Sequence, residues 1–216
     1  MKITKYEHAC LVLEEEGKRL VIDPGNYVQT PLDTLDNIAG LVITHAHADH
    51  FEPNRISAIA KKNPGLQIFC TQETSQQIVQ HLSMQDSTIV SDGSQGVAGP
   101  FSLEFFGSKH ALIHSSIPPI QNVGVFVNKK LYYPGDSFES PGQAVDVLAL
   151  PVSAPWLKIG EAMDFLLSLK PKQVIPTHNA LLSQSGDQLT NTLILGVCKT
   201  INATYTPLAP GQSIDV

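Results

Sequence analysis

Residues 41–50 read LVITHAHADH. An apolar run of strand type leads straight into three histidines and an aspartate within six residues, in a chain that has eight histidines in all. A strand sets residues i and i+2 on one side. A strand direction carried through His45 would therefore aim His45 and His47 at one point. Asp49 and His50 follow a turn and aim at a second point close by. Imidazoles converging at a strand end suit a transition metal such as Zn2+, and paired metals sit roughly 3.5–4 Å apart. The pattern reads as the anchor of two sites rather than four ligands for one ion. A polar loop with incidental histidines is the plain alternative. Two metals need more ligands than this segment holds, and other strand tips should supply them.

Three later segments offer such tips. FFGSKHALIH carries His110 and His114, YYPGDS carries Asp136 after an apolar strand, and VIPTHN carries His178. Gly135 leaves room for a close approach beside Asp136. A lone histidine at a strand end is usually just hydrogen-bonded, but here the segments agree in residue type, order and position.

The elements around them are short. Residues 2–6, 9–14, the run KRLVI before Asp-Pro-Gly, GLVITH, LQIFCT, FSLEFFG, VDVLALP and KQVIPTH read as strands, and NVGVFVNKKLYY as a hairpin turning at residues 128–130. Residues 24–39 read as irregular and residues 86–100 as short strands and turns. Helical spacing marks PNRISAIAKK, stopped by Asn63-Pro64-Gly65, then QETSQQIVQHL with Thr71 as its cap, GEAMDFLLSL, and DQLTNTLILGVCKTI. Apolar strands alternating with helices predict sheets covered by helices, in a single domain spanning residues 1–216.

Lys and Arg number 14 against 20 Asp and Glu, for a net charge of −6. No basic block appears, which argues against long nucleic acid as a partner. Cys10, Cys70 and Cys198 are odd in number and widely spaced, which fits buried reduced thiols better than a disulfide framework. The first residues lack a signal-peptide core and no run has the length of a membrane span, so the expected address is the cytoplasm.

THAHADH, the histidine in GSKHA, PGDS and PTHN, in that order, make the chain resemble the metallo-β-lactamase superfamily of metal-dependent hydrolases. The opening YEHACLVLEEEGKRLVIDPG is similar to one branch, the L-ascorbate-6-phosphate-lactonase-like and N-acyl-phosphatidylethanolamine-phospholipase-like hydrolases. Glu7-His8 stands where that branch often has Gly-His. The resemblance implies an αβ/βα sandwich, with two mixed sheets back to back, helices outside and the metals at one edge. It implies a first metal on His45, His47 and His110, a second on Asp49, His50 and His178, and Asp136 bridging both. His110 is preferred to His114 because Gly107-x-x-His resembles the family's turn into the site, which leaves His114 to the pocket, a supporting contact or the surface. Asp23 resembles an aspartate below the metals that orients a ligand histidine, or it simply begins its Asp-Pro-Gly turn. His8 and Trp156 are candidate pocket residues, with a core position the alternative for Trp156.

The chemistry implied is hydrolysis of a small ester, lactone, amide or phosphodiester by a hydroxide bridging the two ions, with Asp49 and Asp136 as the catalytic carboxylates. Zn2+ leads among the metals, ahead of Mn2+ and Fe2+. The expected substrate is a small anionic or lactone-type molecule, with Lys109 a candidate phosphate contact. The rivals are a phosphodiesterase or nuclease, a single-iron sulfur dioxygenase on the same fold, and a protein that uses metals only for structure. Di-iron oxygen reductases of the superfamily usually have Glu where His47 stands.

Overall fold

The computed structural model describes residues 1–82 and 87–216. Two seven-stranded sheets pack face to face. The first holds β1 (Lys2–Lys5), β2 (Leu11–Glu15), β3 (Lys18–Ile22), β4 (Ile38–Ile43), β5 (Gln67–Cys70), β6 (Thr88–Ile89) and β14 (Ser213–Asp215), in the order β14-β1-β2-β3-β4-β5-β6. The second holds β7 (Gln95–Ala98), β8 (Phe101–Phe106), β9 (Gly124–Val127), β10 (Leu131–Tyr133), β11 (Val147–Pro151), β12 (Gln173–Thr177) and β13 (Thr204–Tyr205), in the order β13-β12-β11-β10-β9-β8-β7. Helices α1 (Pro53–Lys62) and α2 (Gln72–Leu82) belong to the first half, α3 (Ile159–Leu169) and α4 (Gln184–Thr200) to the second.

The period of two along each strand builds the layers. In β2, Leu11 and Leu13 face the layer between the sheets while Val12 faces the helices; in β3, Leu20 and Ile22 face inward and Val21 outward. The second sheet repeats this. Val147 and Ala149 of β11 and Ile175 of β12 join the central layer, and Leu148, Leu150 and Val174 meet α3 and α4. Strands buried on both faces read as near-continuous apolar runs, as GLVI and VLAL do. The result is the expected αβ/βα sandwich.

Helix starts follow local chemistry. Glu52 caps α1 by accepting from the N–H groups of Asn54 and Arg55, with Pro53 at the first helical position. Thr71 Oγ1 accepts from the N–H of Thr74 at the start of α2. The sequence reading lacked the terminal strands β13 and β14 and a 3-10 turn at Leu32–Thr34 inside the stretch read as irregular. These pieces are too short to carry a periodic signal. Of the stretch 86–100, residue 86 lies outside the described residues.

Strand direction fixes where the site must be. β3, β4 and β5 run parallel, and β1 points the same way because two antiparallel pairings separate it from β3. β10, β11 and β12 are parallel, and β8 shares their direction by the same argument. The segments carrying His8, Asp23, His45–His50, His110, Asp136, Trp156 and His178 all follow the C-terminal ends of these strands. Candidate residues spread over 170 positions of sequence thus emerge at one edge.

The central layer should dominate stability. Phe105 is fully buried and stacks on Phe69 of the opposite sheet, ring centroids 6.0 Å apart. Phe105→Ala should cost about 3–5 kcal/mol, read from the urea midpoint. A loss below about 1 kcal/mol would show that the sheets do not depend on this contact.

Candidate metal centre

β4 does not persist through His45. It ends at Ile43, because both peptide groups of Thr44 are drawn out of the ladder. The Thr44 N–H donates to Asp23 Oδ1 at 2.8 Å, and the Thr44 carbonyl accepts from the Val123 N–H of the second half at 3.0 Å. The chain then turns once, with the N–H groups of His50 and Phe51 both donating to the His47 carbonyl. His45 and His47 therefore converge across a bend at Ala46, rather than through the alternation of a strand carried through His45.

Two groups of side chains result. His45, His47, His110 and Asp136 bring one donor atom each within 4.8 Å of one another, and so do His8, Asp49, His50 and His178. Asp136 reaches across. Its Oδ2 lies 3.3 Å from His110 Nε2 and 3.1 Å from His178 Nε2, and its Oδ1 lies 3.2 Å from His50 Nε2. His114 is elsewhere, exposed, with its Nδ1 held by Ser116. Lys109 is exposed too.

Each of four imidazoles is pinned at Nδ1. His50 donates to Asp23 Oδ2 at 2.7 Å, His110 to the Ala111 carbonyl at 2.6 Å and His178 to the Ser153 carbonyl at 2.5 Å. The Thr44 hydroxyl gives its proton to Asp23 Oδ2 at 2.7 Å, so its oxygen accepts from His45 Nδ1 at 3.0 Å. Nδ1 holding the proton leaves Nε2 as a lone pair. The Nε2 atoms of all four, with Asp136 Oδ1, are buried without a hydrogen-bond partner. Lone pairs facing carboxylate oxygens at 3.1–3.3 Å repel unless a proton or a metal cation lies between them. The donor set of nitrogens and oxygens, with these four imidazoles backed at their other nitrogen, fits divalent metal ions.

The electrostatics agree. Burial disfavours a charged ring at His178, but its contacts with Asp136 and Asp49 raise its pKa to about 9. Burial likewise opposes charge on His50, yet Asp136 and Asp23 push its pKa well above the usual range. Burial tends to raise Asp136 and Asp49, and the surrounding imidazoles overcome it and hold both carboxyls well below theirs. The carboxylates call for positive charge in their midst.

His8 belongs to the second group geometrically, and its tautomer sets its role. The Ala180 N–H donates to His8 Nδ1 at 3.3 Å, so the ring proton sits on Nε2 and points at Asp49 Oδ2, 3.1 Å away. His8 holds Asp49 rather than offering a lone pair. Burial lowers its pKa to about 4, which keeps the ring neutral. The His8 carbonyl accepts from the His178 N–H at 2.9 Å, tying the β1–β2 turn to the tip of β12. Trp156 does for Asp136 what His8 does for Asp49: its Nε1–H donates to Oδ2 at 2.8 Å. Neither contact was legible in the sequence. Nor were Thr44 and Asn122, whose Oδ1 accepts from the Asp136 N–H at 3.0 Å; lone polar residues beside strands carry no signal of their partners.

Two loops leave no room for error. A Cβ on Gly25 would lie 1.8 Å from the Asp49 carbonyl oxygen, so only glycine lets the Asp-Pro-Gly loop seat against the Asp49–His50 turn. Arg55 of α1 clamps that loop by donating to the carbonyls of Gly25 and Val28. Asp23, His8 and His178 themselves adopt positive φ, at 47°, 59° and 60°. Such backbone is sparsely populated by residues other than glycine and persists where surrounding contacts over-determine it.

Asp23→Ala would orphan three buried donors, the Thr44 N–H, the Thr44 hydroxyl and His50 Nδ1. At about 1–3 kcal/mol each, the loss in urea stability of chelator-treated protein should reach at least about 3 kcal/mol. A loss below about 1 kcal/mol would mean that Asp23 is only a turn residue.

With this geometry in view, the chain's relatives fall into place. The family model for the beta-lactamase superfamily domain matches residues 2–178. Protein Rv0786c of Mycobacterium tuberculosis is 31% identical over 85% of this chain and 86% of its own length. The UPF0173 metal-dependent hydrolase NEQ378 of Nanoarchaeum equitans is 30% identical over 82% and 83%. Among solved structures, the metallo-beta-lactamase fold protein YhfI from Bacillus subtilis superposes with a TM-score of 0.74 over 99% of this chain and 98% of that one, at 14% identity. A match running from β1 to the histidine at the tip of β12 takes in every strand end that meets at the two groups, and on that match the chain belongs to the beta-lactamase superfamily.

Proposed function

We propose that the chain is a metal-dependent hydrolase that holds two divalent cations, zinc by preference. One is held by His45, His47 and His110, the other by Asp49, His50 and His178, with Asp136 reaching both, and the substrate is a small ester, lactone or phosphodiester. The observation that carries this reading is the set of four buried Nε2 lone pairs and one carboxylate oxygen without partners. The absence of cysteine from both groups favours zinc, manganese or iron over softer metals, and imidazole-rich sites suit zinc. The relative named a metal-dependent hydrolase supports the reaction class.

Bound there, divalent cations polarise a carbonyl or phosphoryl oxygen and bring the pKa of water toward neutrality, so that no Ser or Cys nucleophile is needed. The protein's own residues then orient the reactants. His8 and Trp156 each fix one oxygen of a carboxylate, which limits how Asp49 and Asp136 can turn. The Asp49 side chain is 22% exposed against 4% for Asp136, so Asp49 is the carboxylate that an incoming water meets. Its depressed pKa makes it a weak base. It serves to accept a hydrogen bond from the attacking water and hold it in line. Trp156, buried against Phe138 and His110, closes one side of the site to bulk solvent.

Elemental analysis of protein prepared with metal present should find about two ions per chain. His110→Ala should retain about one, while His114→Ala keeps both. Asp136→Ala should abolish hydrolysis with little change in circular dichroism. One ion or none in the unaltered protein, or a site emptied by the His114 change alone, would overturn the assignment.

Trp156→Phe keeps an aromatic ring while deleting the N–H to Asp136 and part of the ring volume. Metal affinity or turnover should fall about 10–100-fold, measured by competition with a chromophoric chelator and by steady-state kinetics. Unchanged values in both assays would reduce Trp156 to packing.

A further inference from the structure

The walls of the site carry information about the substrate beyond the reaction class. A cavity of about 230 Å3 opens over the two groups, small beside the roughly 300–1,000 Å3 of sites for drug-sized ligands. His47, Asp49, His110, Asp136 and His178 form its floor, and Tyr27, Ile113, Trp156 and Leu181 stand in its walls. A second space also lined by His47 and His110, bounded by Leu112, Ile113 and Ile117, measures only about 10 Å3, too little for a substituent. Among the described residues, no lysine or arginine lines either space. Lys109, adjacent to His110 in sequence, lines neither.

The rim is apolar and wet. Leu181 is 62% exposed and Tyr27 37%, with Ile113 and Trp156 beside them in the lining of the same cavity. Single apolar residues on a surface need no explanation, but several gathered at the mouth of one cavity mark a binding site. Negative charge away from the reacting bond would find no counter-charge in these walls, and its desolvation would go uncompensated. An apolar substituent would lose water on both sides.

Resting on the hydrolase reading above, we infer that the substrate is a neutral carboxylic ester or lactone whose apolar substituent lies against Ile113, Leu181 and Tyr27. Water adds its oxygen to the carbonyl carbon, the acyl C–O bond breaks, and the alkoxide leaves with a proton from that water. The products are a carboxylic acid and an alcohol, or a hydroxy acid from a lactone. A substrate bearing a distal phosphate or carboxylate is selected against.

The test uses the metal-loaded full chain and a matched series: p-nitrophenyl acetate, butyrate and hexanoate, p-nitrophenyl hemisuccinate as the anionic analogue, and bis(p-nitrophenyl) phosphate. kcat/KM should rise about fourfold for each methylene buried, and hemisuccinate should lie about tenfold or more below butyrate. Leu181→Lys, at an exposed position that folding does not need, should move the hemisuccinate-to-butyrate ratio upward by about tenfold. Equal or better turnover of hemisuccinate, no dependence on chain length, or preference for the phosphodiester would each overturn the inference and leave the hydrolase reading standing. No turnover of any member would overturn both. If Leu181→Lys abolishes a concentration-dependent dimer and leaves ester preference unchanged, the rim belongs to a second copy of the chain and the inference falls.

Discussion

The Asp23 carboxylate accepts three hydrogen bonds at the base of the site, from the Thr44 N–H, the Thr44 hydroxyl and His50 Nδ1. Those bonds end β4, start the turn that follows it, and set the tautomers of two histidines, His50 directly and His45 through Thr44. Because Asp23 is fully buried, none of its partners can be exchanged for water. The rest of the site is arranged around a point that this one side chain defines, and a positive φ at Asp23 is the local strain that such a placement entails.

A second principle governs the outer shell. Carboxylates that face several imidazoles at close range could rotate into unproductive contacts. His8 and Trp156 remove that freedom by occupying one oxygen each. They come from opposite halves of the sandwich, one from the β1–β2 turn and one from the segment after β11. The site is therefore symmetrical in logic though not in sequence: each half supplies an N–H that steadies a carboxylate, and Asp136 in the second half lies against His50 and His45 of the first.

Much of this was legible in the amino-acid sequence, and the remainder was not for definable reasons. The near-continuous apolar runs in LVLEE, KRLVI and VLALP mark strands buried on both faces, and sheets covered by helices followed. THAHADH, PGDS and PTHN announce their chemistry because such residue types rarely cluster after apolar runs. The geometry that joins His45 to His47 was misjudged, since it depends on where the Thr44 N–H goes, and its acceptor lies twenty-one positions back in the chain. The tautomer of His8 depends on the Ala180 N–H, 172 positions away. Trp156 was open between core and pocket, and its contact with Asp136 makes both descriptions hold. Single long-range polar contacts leave no periodic trace, whereas burial does.

The hydrogen bond from the His178 N–H to the His8 carbonyl joins the first turn of the chain to the tip of β12. Its consequence appears during synthesis, when a chain leaves the ribosome N-terminal end first. Every member of the group formed by His45, His47, His110 and Asp136 has been made once residue 136 is added. The other group waits for His178, and until then His8, Asp49 and His50 have been made but lack their fourth member. The residues of the two groups are thus synthesised in sequence, and a nascent chain stalled between residues 136 and 178 holds all four residues of one group and three of the other.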